Sequence, residues 1–250
     1  MNVALFVTCL ADHYFAEAAA DAVRLLRHLG CEVTFPEAQT CCGQPAWNAG
    51  ATGEAARMAR HTVDVFADCE AVVLPSGSCA TMVKKFYPRV MGSRDTAGGR
   101  REDGVAAAAG LAARTFELAE FIVHRLGETR LGDGLAGRRV AVHQGCHALR
   151  ELRLETEPAA LLEGVGAAVV PWETQDECCG FGGLFSVKMP AVSAGMADHK
   201  LDGLPEVDWV VSGDPGCLLQ LDGRNQARGG GVEFVHLATA LWRGVDAHAD

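Results

Sequence analysis

The positions of the cysteines repeat along the chain. The ten cysteines stand at residues 9, 31, 41, 42, 69, 79, 146, 178, 179 and 217. Adding 137 to 9, 41 and 42 gives three further cysteines, and adding 138 to 79 gives the last one. Eight of the ten therefore form two copies of one pattern. A period this long predicts a duplicated domain rather than a solenoid, and we divide the chain into copies at 1–130 and 131–250.

Short apolar runs lead into the cysteines of both copies. Residues 2–9 match 139–146, and residues 72–79 match 210–217, and each run is typical of a buried strand that ends near a cysteine. Helical patterns cover 14–29, 53–68, Pro158 to about Gly164, and Pro190 to about Leu201. This alternation predicts an α/β fold, with two duplicated Rossmann-like lobes, mainly parallel sheets and pseudo-twofold symmetry.

Three further features complete the expected layout. Residues 116–121 and 234–241 are similar apolar stretches that we expect to begin amphipathic helices. The polar stretch from about Gly127 to Arg138 marks the boundary between the copies. The stretch from Gly92 to Gly104 is rich in glycine and arginine and is expected to be an exposed loop.

Charge and hydropathy exclude several classes of protein. The 32 acidic and 22 basic residues give a formal net charge of −10, which argues against a general nucleic-acid binder. The chain start lacks the basic residues and long apolar run of a secretory signal, and no apolar stretch is long enough to predict a transmembrane segment. We therefore expect a cytoplasmic protein, whose reduced thiols are ligands rather than disulfide bridges.

The vicinal cysteines carry the most chemical information. Neighbouring side chains of a strand point to opposite faces, so two adjacent thiols can reach one site only where the backbone turns sharply. Gly43 and Gly180 follow the pairs and tolerate such a turn. Adjacent thiolates repel each other, and a polynuclear iron–sulfur cluster offers each of them its own iron. A single zinc ion usually takes its ligands from spaced pairs such as Cys-x-x-Cys.

We therefore predict two thiolate sites at the carboxyl edges of the strands, facing a shared cleft. The predicted ligands are Cys9, Cys41, Cys42 and Cys79 in the first copy, and Cys146, Cys178, Cys179 and Cys217 in the second. A zinc-stabilised assembly module, a redox dithiol and simple burial of the thiols stay open as alternatives.

Other candidate residues have weaker patterns. Cys31 and Cys69 have no counterpart in the other copy and are expected to be small buried hydrophobic side chains. His13, His143 and His147 lie close in sequence to the first cysteine of a copy. Each is a candidate ligand or proton donor, with an ordinary polar role as the alternative.

The order of these motifs resembles a known family. Two units of a single cysteine, then Cys-Cys-Gly, then a final cysteine are similar to the duplicated cysteine-rich (CCG) domain found in heterodisulfide reductase and in the iron–sulfur subunits of glycolate and glycerol-3-phosphate oxidation. The stretches at 6–10, 35–46, 75–79 and 178–188 resemble a short stand-alone form of that family. The resemblance covers nearly the whole chain.

The resemblance implies an iron–sulfur component of an oxidoreductase complex. It would oxidise the small organic acid L-lactate to pyruvate, with one or two [4Fe–4S] clusters per chain and two partner proteins. Because the chain lacks the ferredoxin run Cys-x-x-Cys-x-x-Cys, we expect electron exchange with other proteins of the complex, including a ferredoxin-type iron–sulfur protein. Thiol–disulfide redox chemistry, as in heterodisulfide reductase, is the alternative activity.

The chain departs from the family pattern at two positions. The broader pattern ends in Cys-x-x-Cys, whereas Ser76 and Asp214 replace the first of those cysteines here. Four thiolates per copy match an ordinary [4Fe–4S] cluster better than a five-thiolate one. Asp214 could instead supply an oxygen ligand.

Overall fold

The computed structural model describes residues 1–92 and 101–245 and contains two parallel four-stranded sheets, which we take as the centres of two lobes. The first sheet has the order β2-β1-β3-β4. Its elements are β1 (Asn2–Leu5), α1 (Cys9–Tyr14), α2 (Ala16–His28), β2 (Glu32–Thr34), α3 (Gln44–Asn48), α4 (Thr52–Val65), β3 (Ala71–Leu74), α5 (Gly77–Thr81), α6 (Tyr87–Met91), α7 (Arg101–Ala113), β4 (Thr115–Glu117) and α8 (Leu118–Glu120), with π-helical turns at Met82–Phe86 and Phe121–Leu126.

The second lobe repeats this architecture with the strand order β6-β5-β7-β8. Its elements are β5 (Arg139–Val142), α9 (Glu157–Glu163), β6 (Ala168–Val169), α10 (Leu184–Lys188), α11 (Pro190–Asp202), β7 (Trp209–Ser212), α12 (Pro215–Ala227), β8 (Glu233–His236) and α13 (Leu237–Val245), with a π-helical turn at Ala148–Leu152. The two lobes therefore match the fold expected from the repeated sequence.

The strand registers make the internal symmetry explicit. Leu5 pairs with Val73 in the first sheet, as Val142 pairs with Val211 in the second. The central strands β3 and β7 are buried along their whole length, which accounts for their continuous apolar sequences. The carboxyl ends of both sheets carry the repeated cysteines.

The lobes pack against each other through their helices. Helix α13 of the second lobe packs on α2 of the first, with the rings of His28 and Trp242 6.3 Å apart. One hydrophobic cluster includes strand residues of both sheets, such as Val3 and Val140. This shared core fixes the two strand-end edges relative to each other.

Two sequence-based expectations need correction. Residues 116–117 and 234–236 belong to the edge strands β4 and β8, and the helices begin only at Leu118 and Leu237. Both strands pair with buried central strands, and this pairing determines their conformation. In the expected loop at 92–104, residues from Arg101 onward are helical, because Glu102 and Asp103 favour a helix N-terminus ahead of an alanine-rich run. Residues 93–100 lie outside the described part of the chain.

The expected helices are confirmed with small shifts in their ends. The pattern at 14–29 forms α2 after a break at Phe15, and the pattern at 53–68 forms α4. The stretch 127–138 contains neither helix nor strand, and the division of the chain at residue 130 stays a prediction. Within the described ranges, we find no helix with the length and hydropathy needed to cross a bilayer.

Candidate metal centre

The first and last cysteines of each set lie just beyond strand ends. Cys9 begins α1, directly after Thr8, whose backbone adopts a φ of 74°. Cys146 follows β5 at the equivalent place. Cys79 lies in the first turn of α5 and Cys217 in the first turn of α12. Parallel strands that end at one edge thus bring cysteines far apart in sequence to the same place.

The vicinal pairs reach the same edge through a left-handed turn. Gly43 has a φ of 85° and Gly180 a φ of 84°, a backbone region that residues with a Cβ rarely adopt. In both lobes the glycine N–H then points back to the first cysteine of the pair. The N to Sγ distance is 3.4 Å to Cys41 in the first lobe and 3.4 Å to Cys178 in the second. The expected role of these glycines is confirmed.

The sulfur atoms of each predicted set lie close together. The Sγ atoms of Cys9 and Cys41 are 3.6 Å apart, and those of Cys42 and Cys79 are 3.1 Å apart. In the second lobe, the Sγ atoms of Cys179 and Cys217 are 3.0 Å apart, and Cys178 is close enough to Cys146 to raise its pKa. All ten cysteines are free thiols.

The protonation of the thiols follows from this crowding. Hydrogen bonds from Cys42 and Cys9 lower the pKa of Cys41 to about 3. Hydrogen bonds from Cys146 and Cys179 lower the pKa of Cys178 in the same way. Each set therefore contains one sulfur that ionises readily and is held by neighbouring thiols and a glycine N–H. A cationic metal centre is the natural partner of such a group, since it favours the ionised form of every ligand.

Both sets open into one cavity between the lobes. The cavity has a volume of about 170 Å³. Seven of the eight repeated cysteines line it: Cys9, Cys42, Cys79, Cys146, Cys178, Cys179 and Cys217. The eighth, Cys41, lines a neighbouring pocket together with Cys9. The expected shared cleft is therefore present.

The two positions that depart from the family pattern have structural partners. Ser76 caps α5, where its Oγ accepts a hydrogen bond from the Cys79 N–H at 3.3 Å. Asp214 lies at the equivalent position before α12, and its carboxylate instead accepts hydrogen bonds from Ser78 of the other lobe. Each Asp214 oxygen thus accepts one hydrogen bond from the other lobe, and a role for Asp214 as an oxygen ligand stays a prediction.

Most of the other candidate cysteines and histidines lie away from the shared cavity. Cys31 is buried and Cys69 is partly buried, and neither lies in the shared cavity. His13 is exposed beside Asp12, whereas His147 lines the cavity. His143 is 2% exposed, and its ring lies behind two of the second-lobe cysteines.

Sequence reasoning missed residues that position the cysteine loops. Gln39 accepts a hydrogen bond from the Val7 N–H at 2.8 Å and donates one to the Leu5 carbonyl at 3.0 Å. It thus ties the segment before Cys41 to the end of β1. Gln44 donates to the Ser78 carbonyl at 3.0 Å, which joins the vicinal loop to α5. For the Gln39 hydrogen bonds, the only signal in the sequence is a glutamine two residues before a Cys-Cys pair.

The donor chemistry fits a thiolate-bound metal or cluster. Each lobe offers four sulfur donors, two buried and two half-buried, and seven of the eight line the common cavity. Soft sulfur donors of this number suit zinc or an iron–sulfur cluster. Fold and site together define a duplicated α/β protein with a cysteine centre at the strand ends of each lobe.

Comparison with known proteins gives the same two units. The model of the cysteine-rich domain family (CCG) matches residues 3–84 and 140–222. The chain is 43% identical to lactate utilization protein A of Geobacillus sp. (strain WCH70), over 96% of this chain and 99% of that protein. It is 42% identical to lactate utilization protein A of Exiguobacterium sp. (strain ATCC BAA-1283 / AT1b), over 98% of each chain. The chain belongs to the cysteine-rich (CCG) domain family and, within it, groups with these lactate utilization proteins.

A solved structure shares the fold without close sequence similarity. The match is to a hypothetical protein from Helicobacter pylori, with a TM-score of 0.62 and 9% identity. The match covers 98% of this chain and 49% of that one, so the present chain spans about half the length of that structure. The similarity supports the two-lobed architecture alone.

Proposed function

We propose that this chain is the iron–sulfur component of an oxidoreductase complex that oxidises L-lactate to pyruvate. The observation that carries the proposal is that the sulfurs of each set lie close together and that seven of the eight cysteines line one interlobe cavity. The relatives' shared name, lactate utilization protein A, supplies the substrate class. When bound, an iron–sulfur cluster provides one-electron transfer.

The chain's own residues prepare each site for a multiply charged centre. Cys9, Cys41, Cys42 and Cys79 would hold one cluster, and Cys146, Cys178, Cys179 and Cys217 the other. Peptide N–H groups of Gly43 and Gly180 donate to a sulfur in each set and stabilise its ionised form. Donors of this kind also favour the reduced state of a bound cluster.

The surroundings of the sites suit electron transfer within a complex. Apolar side chains that include Leu10, Pro45 and Phe181 line the shared cavity and limit the access of water. Phe181 enters because Gly216 has no side chain, as a Cβ there would lie 2.7 Å from the ring. Two half-buried sulfurs in each lobe leave one side of the site toward the surface. We infer that other proteins of the complex, including a ferredoxin-type protein, exchange electrons through that side.

Growth on L-lactate tests the proposed function. A deletion strain of the source organism should fail to grow on L-lactate as the carbon source, and the wild-type gene should restore growth. Cys42→Ala and Cys179→Ala should each fail to restore it, whereas the matched control Cys69→Ala should succeed because that thiol lies outside the cavity. Normal growth of the deletion strain, or rescue by the Cys42→Ala and Cys179→Ala variants, would contradict the proposal.

A further inference from the structure

The residues behind the two cysteine sets differ in charge. Lys200 on α11 is fully buried, and it is the one lysine or arginine in the described part of the chain that is buried to this degree. Its Nζ donates to the Thr174 carbonyl and lies 4.4 Å from the centre of the Trp172 ring. Among the described residues, no carboxylate forms a salt bridge with it. A buried ammonium group without a carboxylate partner needs another source of negative charge.

Two of the second-lobe cysteines lie close to this lysine. Trp172, whose ring lies under Lys200, belongs to the same buried cluster as Cys179 and Cys217. A thiolate-bound centre held by these two cysteines would compensate the charge of Lys200.

A buried imidazole lies at the same place. The nearest ring nitrogen of His143 and the Sγ atoms of Cys179 and Cys217 all lie within 4.8 Å of one another. Among the described residues, neither ring nitrogen has a hydrogen-bond partner of normal geometry. In either tautomer a neutral imidazole carries one ring N–H that can donate to a sulfur.

The first lobe has apolar or neutral residues at both equivalent positions. Phe6 follows β1 as His143 follows β5, since their N–H groups bond to the equivalent carbonyls of Val73 and Val211. Thr62 corresponds to Lys200, as each lies four residues after the methionine that faces the vicinal glycine. The Thr62 hydroxyl is used within its own helix. The two sites thus match in cysteines but not in electrostatics.

We infer that Lys200 and His143 make the second-lobe centre the one that holds an added electron. The inference rests on the proposed function. If both sets of cysteines held a cluster, one electron would leave the reduced centre of the first lobe and reduce the oxidised centre of the second, with no other reactant. A nearby cation and a hydrogen bond to sulfur both stabilise the added negative charge. The second-lobe centre would therefore have the higher reduction potential of the two, and an added electron would be held mainly there.

Redox titration of the anaerobically isolated full chain, followed by electron paramagnetic resonance, tests the inference. Iron and sulfide are first measured in the same sample, and the signals are assigned with Cys42→Ala and Cys179→Ala. We expect the electron to favour the second lobe at least tenfold, which corresponds to 59 mV for a one-electron couple. Lys200→Met, which keeps the buried volume but removes the charge, should reduce this preference at least threefold.

Three further variants keep the test decisive. Lys200→Arg should retain the preference, and Lys188→Met, which removes an exposed charge from the same lobe, should leave it unchanged. His143→Phe copies the first-lobe residue and should lower the second-lobe potential even if Lys200→Met fails to fold. Equal reduction potentials of the two centres in the wild type would overturn this inference but not the proposed function. Equal shifts of the second-lobe potential in Lys188→Met and Lys200→Met would do the same. Absence of iron and sulfide would overturn the proposed function together with it.

Discussion

Asp214 of the second lobe accepts two hydrogen bonds from Ser78 of the first. Its Oδ2 lies 2.9 Å from the Ser78 N, and its Oδ1 lies 3.0 Å from the Ser78 Oγ. Asp214 precedes the helix that carries Cys217, and Ser78 is adjacent to Cys79. The contact therefore couples the last cysteine of one site to the last cysteine of the other.

Loss of this contact should weaken the fold. We expect Asp214→Ala to lower the free energy of unfolding by about 1–3 kcal/mol, because it removes a charged acceptor from the Ser78 N–H and hydroxyl at a partly buried site. Ser78→Ala removes only one of the two bonds and should cost less. Urea denaturation of both single variants and the double variant should give non-additive losses. The control Asp222→Ala removes a carboxylate that bonds only within its own helix, and an equal loss there would contradict the assigned role.

The vicinal glycines should be intolerant of a side chain. A Cβ on Gly180 would lie 2.6 Å from the Ser193 carbonyl oxygen, and one on Gly43 would lie 3.1 Å from the Met58 Cβ. We expect Gly180→Ala to lose metal from the second lobe and to destabilise the chain by more than the roughly 1–2 kcal/mol of a left-handed backbone alone.

Gly30 offers a matched control for this effect. Its φ is 80°, yet a Cβ there would meet nothing within 4 Å. Gly30→Ala should therefore lower the free energy of unfolding only by the amount that a left-handed backbone costs a residue with a Cβ. It should retain the metal of both lobes. Metal analysis and urea denaturation check both variants. Full metal retention in Gly180→Ala would contradict the claim that this turn orients the vicinal thiols toward the site.

The buried carboxyl group of Glu117 should make the free energy of unfolding decrease as the pH rises. Burial raises the pKa of Glu117 from 4.5 to about 8. Between these values the folded chain keeps a proton that the unfolded chain has released, so the free energy of unfolding decreases by up to about 1.4 kcal/mol per pH unit. Glu117→Gln keeps an acceptor for the Ala119 N–H and removes the titration.

Denaturation across pH 4.5 to 8 measures this contribution. The Glu117→Gln variant should have a flatter dependence than the wild type, whereas the exposed control Glu128→Gln should follow the wild type. Parallel curves for the wild type and Glu117→Gln would show that the carboxyl group is not held neutral by its surroundings.

The spacing of the cysteines in the sequence predicts which residues form the site, but it does not predict which residues surround them. The repeated cysteines are predictable together because each follows a strand, and parallel strands end at one edge. The short strands β4 and β8 resemble helix starts in the sequence, since their apolar residues run directly into helices. Lysine is almost never fully buried, so the position of Lys200 depends on tertiary packing against Trp172. The partners Ser78 and Asp214 are 136 residues apart, and no local pattern joins them.

Iron and acid-labile sulfide in the anaerobically isolated chain test the central claim most directly. We predict about four irons and about four sulfides per lobe, with a loss of about half of each in Cys42→Ala and in Cys179→Ala. The control Cys31→Ala should retain the full content, because that thiol lies in the core away from the cavity. Stoichiometric zinc without sulfide, or an iron content that the Cys42→Ala and Cys179→Ala substitutions leave unchanged, would contradict the account.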